Sequence, residues 1–239
     1  LQGSRNLIGL MGAAENKRLD VSWSVNGQSY STHDENAGLV RLDYGPVSGR
    51  TMPFPNHQVD EVIGYAAHEA GHLLWTPSDK LAAYNNEVAS LLRSGALPPL
   101  PRECVVWFED IGPTVPPGLR LTPRARRDIA QRLLTDDALG FLSEIHNIVE
   151  DAHIDATVAK QWAVLGEYIR ISRSRMWERA PLDLAALGAM KKPTMDEVKA
   201  LWVAVVLYDK PLPASMSKTM HGAMMHLIPE SISVIGADR

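Results

Sequence analysis

The chain has 239 residues, 45% hydrophobic and 22% charged, with a formal net charge of −4. That length suits one domain able to bury about 70% of its unfolded surface, and the negative balance gives no electrostatic case for nucleic acid. A single cysteine, Cys104, excludes an internal disulfide and suits a reducing compartment.

No apolar run reaches the roughly 18 residues that a membrane-crossing helix needs, so the sequence predicts a cytoplasmic protein with no membrane contact. Leu1-Gln2-Gly3-Ser4 reads as a cloning remnant and the final SVIGADR as an unnatural stop. The expectation is therefore a piece of a longer protein.

Residues 5–18 read as a short helix or turn. Leu19, Val21, Trp23 and Val25 then alternate with Asp20, Ser22 and Ser24, the period of a half-exposed strand. Asn26-Gly27 is a hairpin signal, with Gln28 to Thr32 as the return strand. Gly38 to Tyr44 forms a third strand, ended by Gly45-Pro46. A small antiparallel sheet is expected.

The stretch Val59 to Trp75, VDEVIGYAAHEAGHLLW, follows. Val59, Val62, Ile63, Ala66, Ala70, Leu73 and Leu74 recur at helical spacing. Tyr65, His68 and His72 share another face. Asn56 suits the cap, Asp60 and Glu61 suit the positive end of the helix dipole, and Thr76-Pro77 ends the run. Gly71 inside this helix costs about 1 kcal/mol of propensity. Close approach of a second element explains it better than helix stability does.

Ser78 can cap the next helix, Asp79 to Arg93, with Leu81, Tyr84, Val88, Leu91 and Leu92 as its stripe and Gly95 at its end. Residues 96–121 are rich in proline but hold Val105-Val106-Trp107-Phe108. This predicts a packed loop, a wall or lid of a cleft, with Cys104 as a buried structural thiol.

From Thr122-Pro123 the chain is expected to be helical to about Ala180, one helix ending at Leu134 and another starting at Asp136-Asp137. In that second helix Phe141, Ile145, Ile148, Val149, Ala152, Ala156 and Ala159 make the buried face. His146, Glu150 and His153 fall on one flank, Glu144, Asp151 and Asp155 on the other. Thr194 and Glu197 form a capping box, after which Leu201, Trp202, Val205 and Tyr208 pack. A last helix, around Ala214 to Leu227, carries Met216, Met220, Met224 and Met225 as core. Arg124, Arg126, Arg127, Arg132, Arg170, Arg173, Arg175 and Arg179 read as solvated helix faces.

The fold class is thus α+β: a small antiparallel sheet and motif helix over 5–95, the loop over 96–121, and a helical part over 122–239.

His68-Glu69-Ala70-Gly71-His72 is an HExxH motif. Residues four apart on a helix share a face, so both imidazoles can reach one metal ion. Zn²⁺ suits them, at about 2.0–2.1 Å from nitrogen. Glu69 can reach a water activated by the metal and act as general base. A catalytic zinc takes three protein ligands. Glu150 is the candidate for the third, an acid on a later helix. Asp151, shorter and on the other flank, is the runner-up, ahead of His146 and His153. Asp151 or Asp155 can accept the second N–H of a ligand histidine. Tyr65 and His221 are candidates for polarising the substrate carbonyl.

HEAGHLLWT followed by NIVEDAHID resembles HExxH metallopeptidase-like proteins of the gluzincin type. The closest pattern is HExGH followed by an N-x-x-E-D-x-R-I-E helix. It occurs in bacterial and phage metallopeptidase-like domains, often joined to a von Willebrand A domain, and in proteins resembling the large cobaltochelatase subunit. The resemblance covers about 30 residues. It implies a zincin-like fold, His68, His72 and Glu150 as ligands, Glu69 as base, and Asn147 and Asp151 as supporting residues. This chain departs from the pattern at His153, where Arg is expected, and at Asp155, where Glu is expected. The acid that follows the ligand Glu by four residues in thermolysin-like enzymes is missing, since residue 154 is Ile. The chain contains neither a von Willebrand A domain nor a Walker motif.

The expected function is zinc-dependent peptide hydrolysis, with an extended protein or peptide substrate pairing along an edge such as Leu39 to Tyr44. The alternatives are a non-catalytic binding module for an AAA+ ATPase or other assembly partner, and a zinc hydrolase acting on a small molecule.

Overall fold

The computed structural model describes residues 2–14, 18–24, 29–33, 37–48, 55–94 and 123–236. The Asn26-Gly27 turn, the proline-rich segment with Cys104, Gly95 and Thr122 lie outside the described residues.

Helix α1 (Gln2–Ala14) precedes strands β1 (Arg18–Ser24), β2 (Tyr30–His33) and β3 (Ala37–Asp43). The strand order is β1-β3-β2, with β1 parallel and β2 antiparallel to β3. The antiparallel β1–β2 hairpin is therefore not formed: β3 inserts between the two strands. Val21 opposes Val40 and Trp23 opposes Leu42 in the parallel pair, which aligns the apolar alternation of both strands on one face. It also leaves β3 paired on both sides over Gly38–Arg41, so Leu39–Arg41 is not a free edge for a substrate.

After a 3₁₀ turn at Gly45–Val47 comes α2 (Asn56–Trp75), then α3 (Ser78–Ser94). Asn56 lies within the first turn of α2 rather than at its cap, which is Pro55 and makes no side-chain cap bond. Helix α4 runs unbroken over Pro123–Gln161, so no interruption occurs at Leu134–Asp136. The chain then breaks at Trp162 and continues as α5 (Ala163–Arg179). Three more helices follow: α6 (Leu184–Ala189), α7 (Met195–Val206) and α8 (Lys218–Ile235). The Thr194/Glu197 capping box starts α7. None of the described helices is long and apolar enough to cross a membrane.

Helix α2 is the axis of the molecule. On one side Ala66, Ala70, Leu73 and Leu74 pack with Val21, Val40 and Leu42 of the sheet and Ile8 and Met11 of α1. Leu73 lies so close to β3 that a Cβ on Gly38 would sit 2.6 Å from its Cδ1. On the other side Ala67 joins Ile154 and Val158 of α4 and Ile169 of α5. Full burial of one such side chain stabilises by about 1.5–3 kcal/mol.

Two glycines set the helix spacing. A Cβ on Gly71 would meet Ile154 Cγ2 at 2.6 Å and Val158 Cγ2 at 2.9 Å, and one on Gly64 would meet the Tyr168 carbonyl and the Ser172 side chain of α5. The crowding expected at Gly71 is present. Its source is the row Ile154–Val158, because the buried face of α4 is rotated from the expected one: Ala156 and Ala159 are exposed.

A second core joins Val198, Leu201 and Trp202 of α7 to Met220 and Met224 of α8, with Ile145, Ile148 and Val149 of α4 packed against it. Met216 is half-buried, but Met225 departs from the expected stripe and is 55% exposed.

Candidate metal centre

Helical spacing and the close α2–α4 contact together build the site. His68 and His72 stand one turn apart on α2 with Nε2 atoms 3.2 Å apart. Once Gly71 seats against Ile154 and Val158, the residues one turn earlier on the same flank of α4 face the imidazoles. Asp151 Oδ1 lies 3.2 Å from His72 Nε2 and 3.7 Å from His68 Nε2. His68, His72 and Asp151 are a group that could hold a metal ion.

The hydrogen bonds around the imidazoles fix which nitrogen is available. His68 Nδ1 donates to Asp155 Oδ1 at 2.7 Å. His72 Nδ1 lies 2.9 Å from Thr76 Oγ1, and that hydroxyl donates to Glu150 Oε1, also at 2.9 Å. With its own proton committed to Glu150, Thr76 accepts from His72. Both histidines therefore carry their proton on Nδ1 when neutral and turn Nε2 lone pairs toward each other and toward Asp151.

Facing lone pairs and a carboxylate repel unless a proton or a cation sits among them. Ligands at about 2.0–2.1 Å in a tetrahedron stand about 3.3–3.4 Å apart. The observed separations of 3.2, 3.2 and 3.7 Å bracket that edge. Three donor atoms this close together could hold a metal ion.

Glu150, the expected third ligand, is turned to Thr76 and is 4% exposed. The reason is geometric. It stands about 100° around α4 from Asp151, and helices this close leave room at the imidazoles for a short carboxylate rather than a long one. With Asp151 in the group, the acid four residues on is Asp155, so the carboxylate that the sequence reading finds missing is present. Glu150 supports His72 through Thr76, and Asp155 supports His68 directly.

The other candidates lie elsewhere. Asn147 is exposed. His146 packs its ring on Tyr84, at 5.5 Å between centroids. His153 faces α8, with Nδ1 3.1 Å from the Ile235 carbonyl. Tyr65 donates to Glu61 at 2.5 Å, back along α2 and away from the histidines, and Arg179 pairs with the same carboxylate. Burial, then the charge of Asp43, pushes the Tyr65 hydroxyl up to about 12. His221 is an exposed residue of α8, a helix that packs chiefly on α7 and α4.

Two contributors were not legible as site residues. Thr76 reads in the sequence only as a helix stop, although its i+4 relation to His72 places it on the imidazole face. Arg173 reads as a solvated arginine, yet its side chain is only 12% exposed. Its Nε donates to Asp155 Oδ2 at 2.9 Å and a terminal nitrogen donates to Asp151 Oδ2 at 3.3 Å. The signal was its place on α5, beside buried Ser172 and one turn after buried Ile169. Arg170, by contrast, is exposed and pairs with Glu167.

Charge organises the cluster. Burial opposes ionisation of Asp151, but once the imidazoles are also protonated at Nε2 the hydrogen bond from His72 and the charges of His68 and Arg173 outweigh it and hold the carboxyl at about 2. Asp155 is lowered as well: burial is overcome by His68 and Arg173. Burial also disfavours His68⁺, yet Asp155 and Asp151 leave that imidazole above its ordinary value. Glu69, 8% exposed, is pushed up mainly by burial, against the pull of His68 and His72.

Comparison with protein-family models, with curated proteins and with solved structures gave no match.

Proposed function

We propose that this chain is a zinc-dependent peptide hydrolase with a zincin-like arrangement, in which His68, His72 and Asp151 hold the metal and Glu69 is the general base. The observation that carries the reading is the convergence of two Nε2 lone pairs and one carboxylate oxygen at tetrahedral spacing. Glu69 follows His68 directly in the chain and lies within electrostatic reach of both histidines and Asp151.

A bound zinc supplies Lewis-acid polarisation and lowers the pKa of water at the site towards 7. Asp155 and the Thr76–Glu150 pair hold the imidazoles in the tautomer that leaves Nε2 unprotonated. Glu69 takes a proton from the attacking water as its oxygen bonds to the scissile carbonyl carbon. It then returns that proton to the amine as the C–N bond breaks. A carboxyl raised by burial is a stronger proton acceptor than an exposed one. The assignment of peptides rather than other acyl substrates rests on the HExxH motif.

Replacing Glu69 by Gln tests the reading. The variant is expected to retain one equivalent of zinc by elemental analysis while cleavage of an unstructured protein substrate falls by about 10²–10⁴-fold. Cleavage at the wild-type rate would refute the mechanism. A zinc-loaded wild-type protein inert on peptides would favour the binding module.

A further inference from the structure

We propose that Arg173 is the positioning residue that restricts Asp151 to a single ligating oxygen and thereby keeps one coordination position open. This role rests on the metal-centre reading above. Both carboxylates at the site are divided in the same way. Asp151 and Asp155 turn Oδ1 to the histidines and Oδ2 to the guanidinium. A carboxylate free to rotate can offer both oxygens to a cation. With Oδ2 held by Arg173, Asp151 offers one, and three single-atom donors leave the fourth tetrahedral position for water or substrate.

An arginine here also needs a geometric reason. A fixed positive charge beside a metal site opposes cation uptake by Coulomb repulsion. Neutralising two acids requires only charge, which lysine would supply. The planar fork can hold two carboxylate oxygens at fixed angles, as a point charge cannot. Its burial beside Ile169 and Ser172 on α5 keeps the fork in place, and the Gly64 contact ties α5 to α2. Through this residue, α5 controls the geometry of a ligand carried by α4.

The test compares the wild type, Arg173→Lys, and the charge-balanced double variant Arg173→Met/Asp155→Asn. In the double variant no buried acid loses its counter-charge at residue 155, and the introduced amide oxygen can still accept from His68, which guards against misfolding. Circular dichroism checks the fold. Each protein is loaded with Co²⁺ for its visible d–d spectrum and with Zn²⁺ for X-ray absorption.

The wild type is expected to show an intense long-wavelength band and about four light ligands. Both variants are expected to show a weaker band shifted to shorter wavelength, and a gain of about one oxygen in the first shell. A wild-type spectrum and ligand count in Arg173→Lys would overturn the proposal, leaving charge alone as the role of Arg173. So would a wild-type result in the double variant. If the wild type itself takes up neither cation, the metal-centre reading falls first and this proposal with it.

Discussion

Asp151→Asn and Glu150→Gln form the decisive pair of substitutions. They remove neighbouring charges from one helix, yet only Asp151 has an oxygen 3.2 Å from His72 Nε2. A four-ligand zinc site contributes about 10–16 kcal/mol of binding, or about 3 kcal/mol per ligand. Asp151→Asn should therefore weaken zinc by about a hundredfold or more. Glu150→Gln leaves an amide oxygen to accept from Thr76 Oγ1, and the lost charge stands two hydrogen bonds from the imidazole Nε2. Its cost should stay below about tenfold. Competition against a chromophoric chelator at fixed pH measures both. Equal losses in the two variants, or a larger loss in Glu150→Gln, would refute the assignment and restore Glu150 as the ligand.

Further tests reach the supporting shell and the packing. Thr76→Val removes the acceptor for His72 Nδ1–H; zinc affinity should fall by about 10–100-fold, measured by the same competition. Gly71→Ala places a methyl 2.6 Å from Ile154 Cγ2. The overpacking cost of about 1–3 kcal/mol, less about 1 kcal/mol of regained helix propensity, predicts a net loss in urea unfolding. Gly140→Ala on the same helix as Ile154 meets nothing within 4 Å and should instead gain about 0.5–1 kcal/mol. With metal chelated, the depressed Asp151 carboxyl, about 2 against an ordinary 3.9, means the native state binds fewer protons than the unfolded chain. That contribution, of order 2 kcal/mol, is complete above about pH 4 and lost as pH falls towards 2. The acid slope of urea midpoints should be shallower in Asp151→Asn, and an unchanged slope would exclude the effect.

The motif helix was legible because a single face carries its information. The apolar period, the Thr76-Pro77 stop and the misplaced Gly71 all belong to contiguous residues. The ligand from α4 was only half legible. Helical phase separates Glu150 from Asp151, but only the approach distance of two helices decides which carboxylate length fits, and no residue in α4 states that distance. Gly71 hinted at it from the other side. Strand order was illegible for a related reason: Asn26-Gly27 signals a local hairpin, whereas parallel pairing of β1 with β3 answers to the shared burial of Val21 and Val40. Arg173 is hidden among the other arginines because a charged side chain on a helix ordinarily marks an exposed face. A long side chain can deliver its head inward when acids wait there, as Asp151 and Asp155 do.

His72 and Asp151 are 79 positions apart in the chain. During translation at about 5–20 residues per second, the HExxH segment is synthesised about 4–16 s before its carboxylate partner. A nascent chain in that interval carries two imidazoles and a base without the third donor. The order of the sequence thus imposes a latency: the centre cannot be completed until synthesis has passed Asp151.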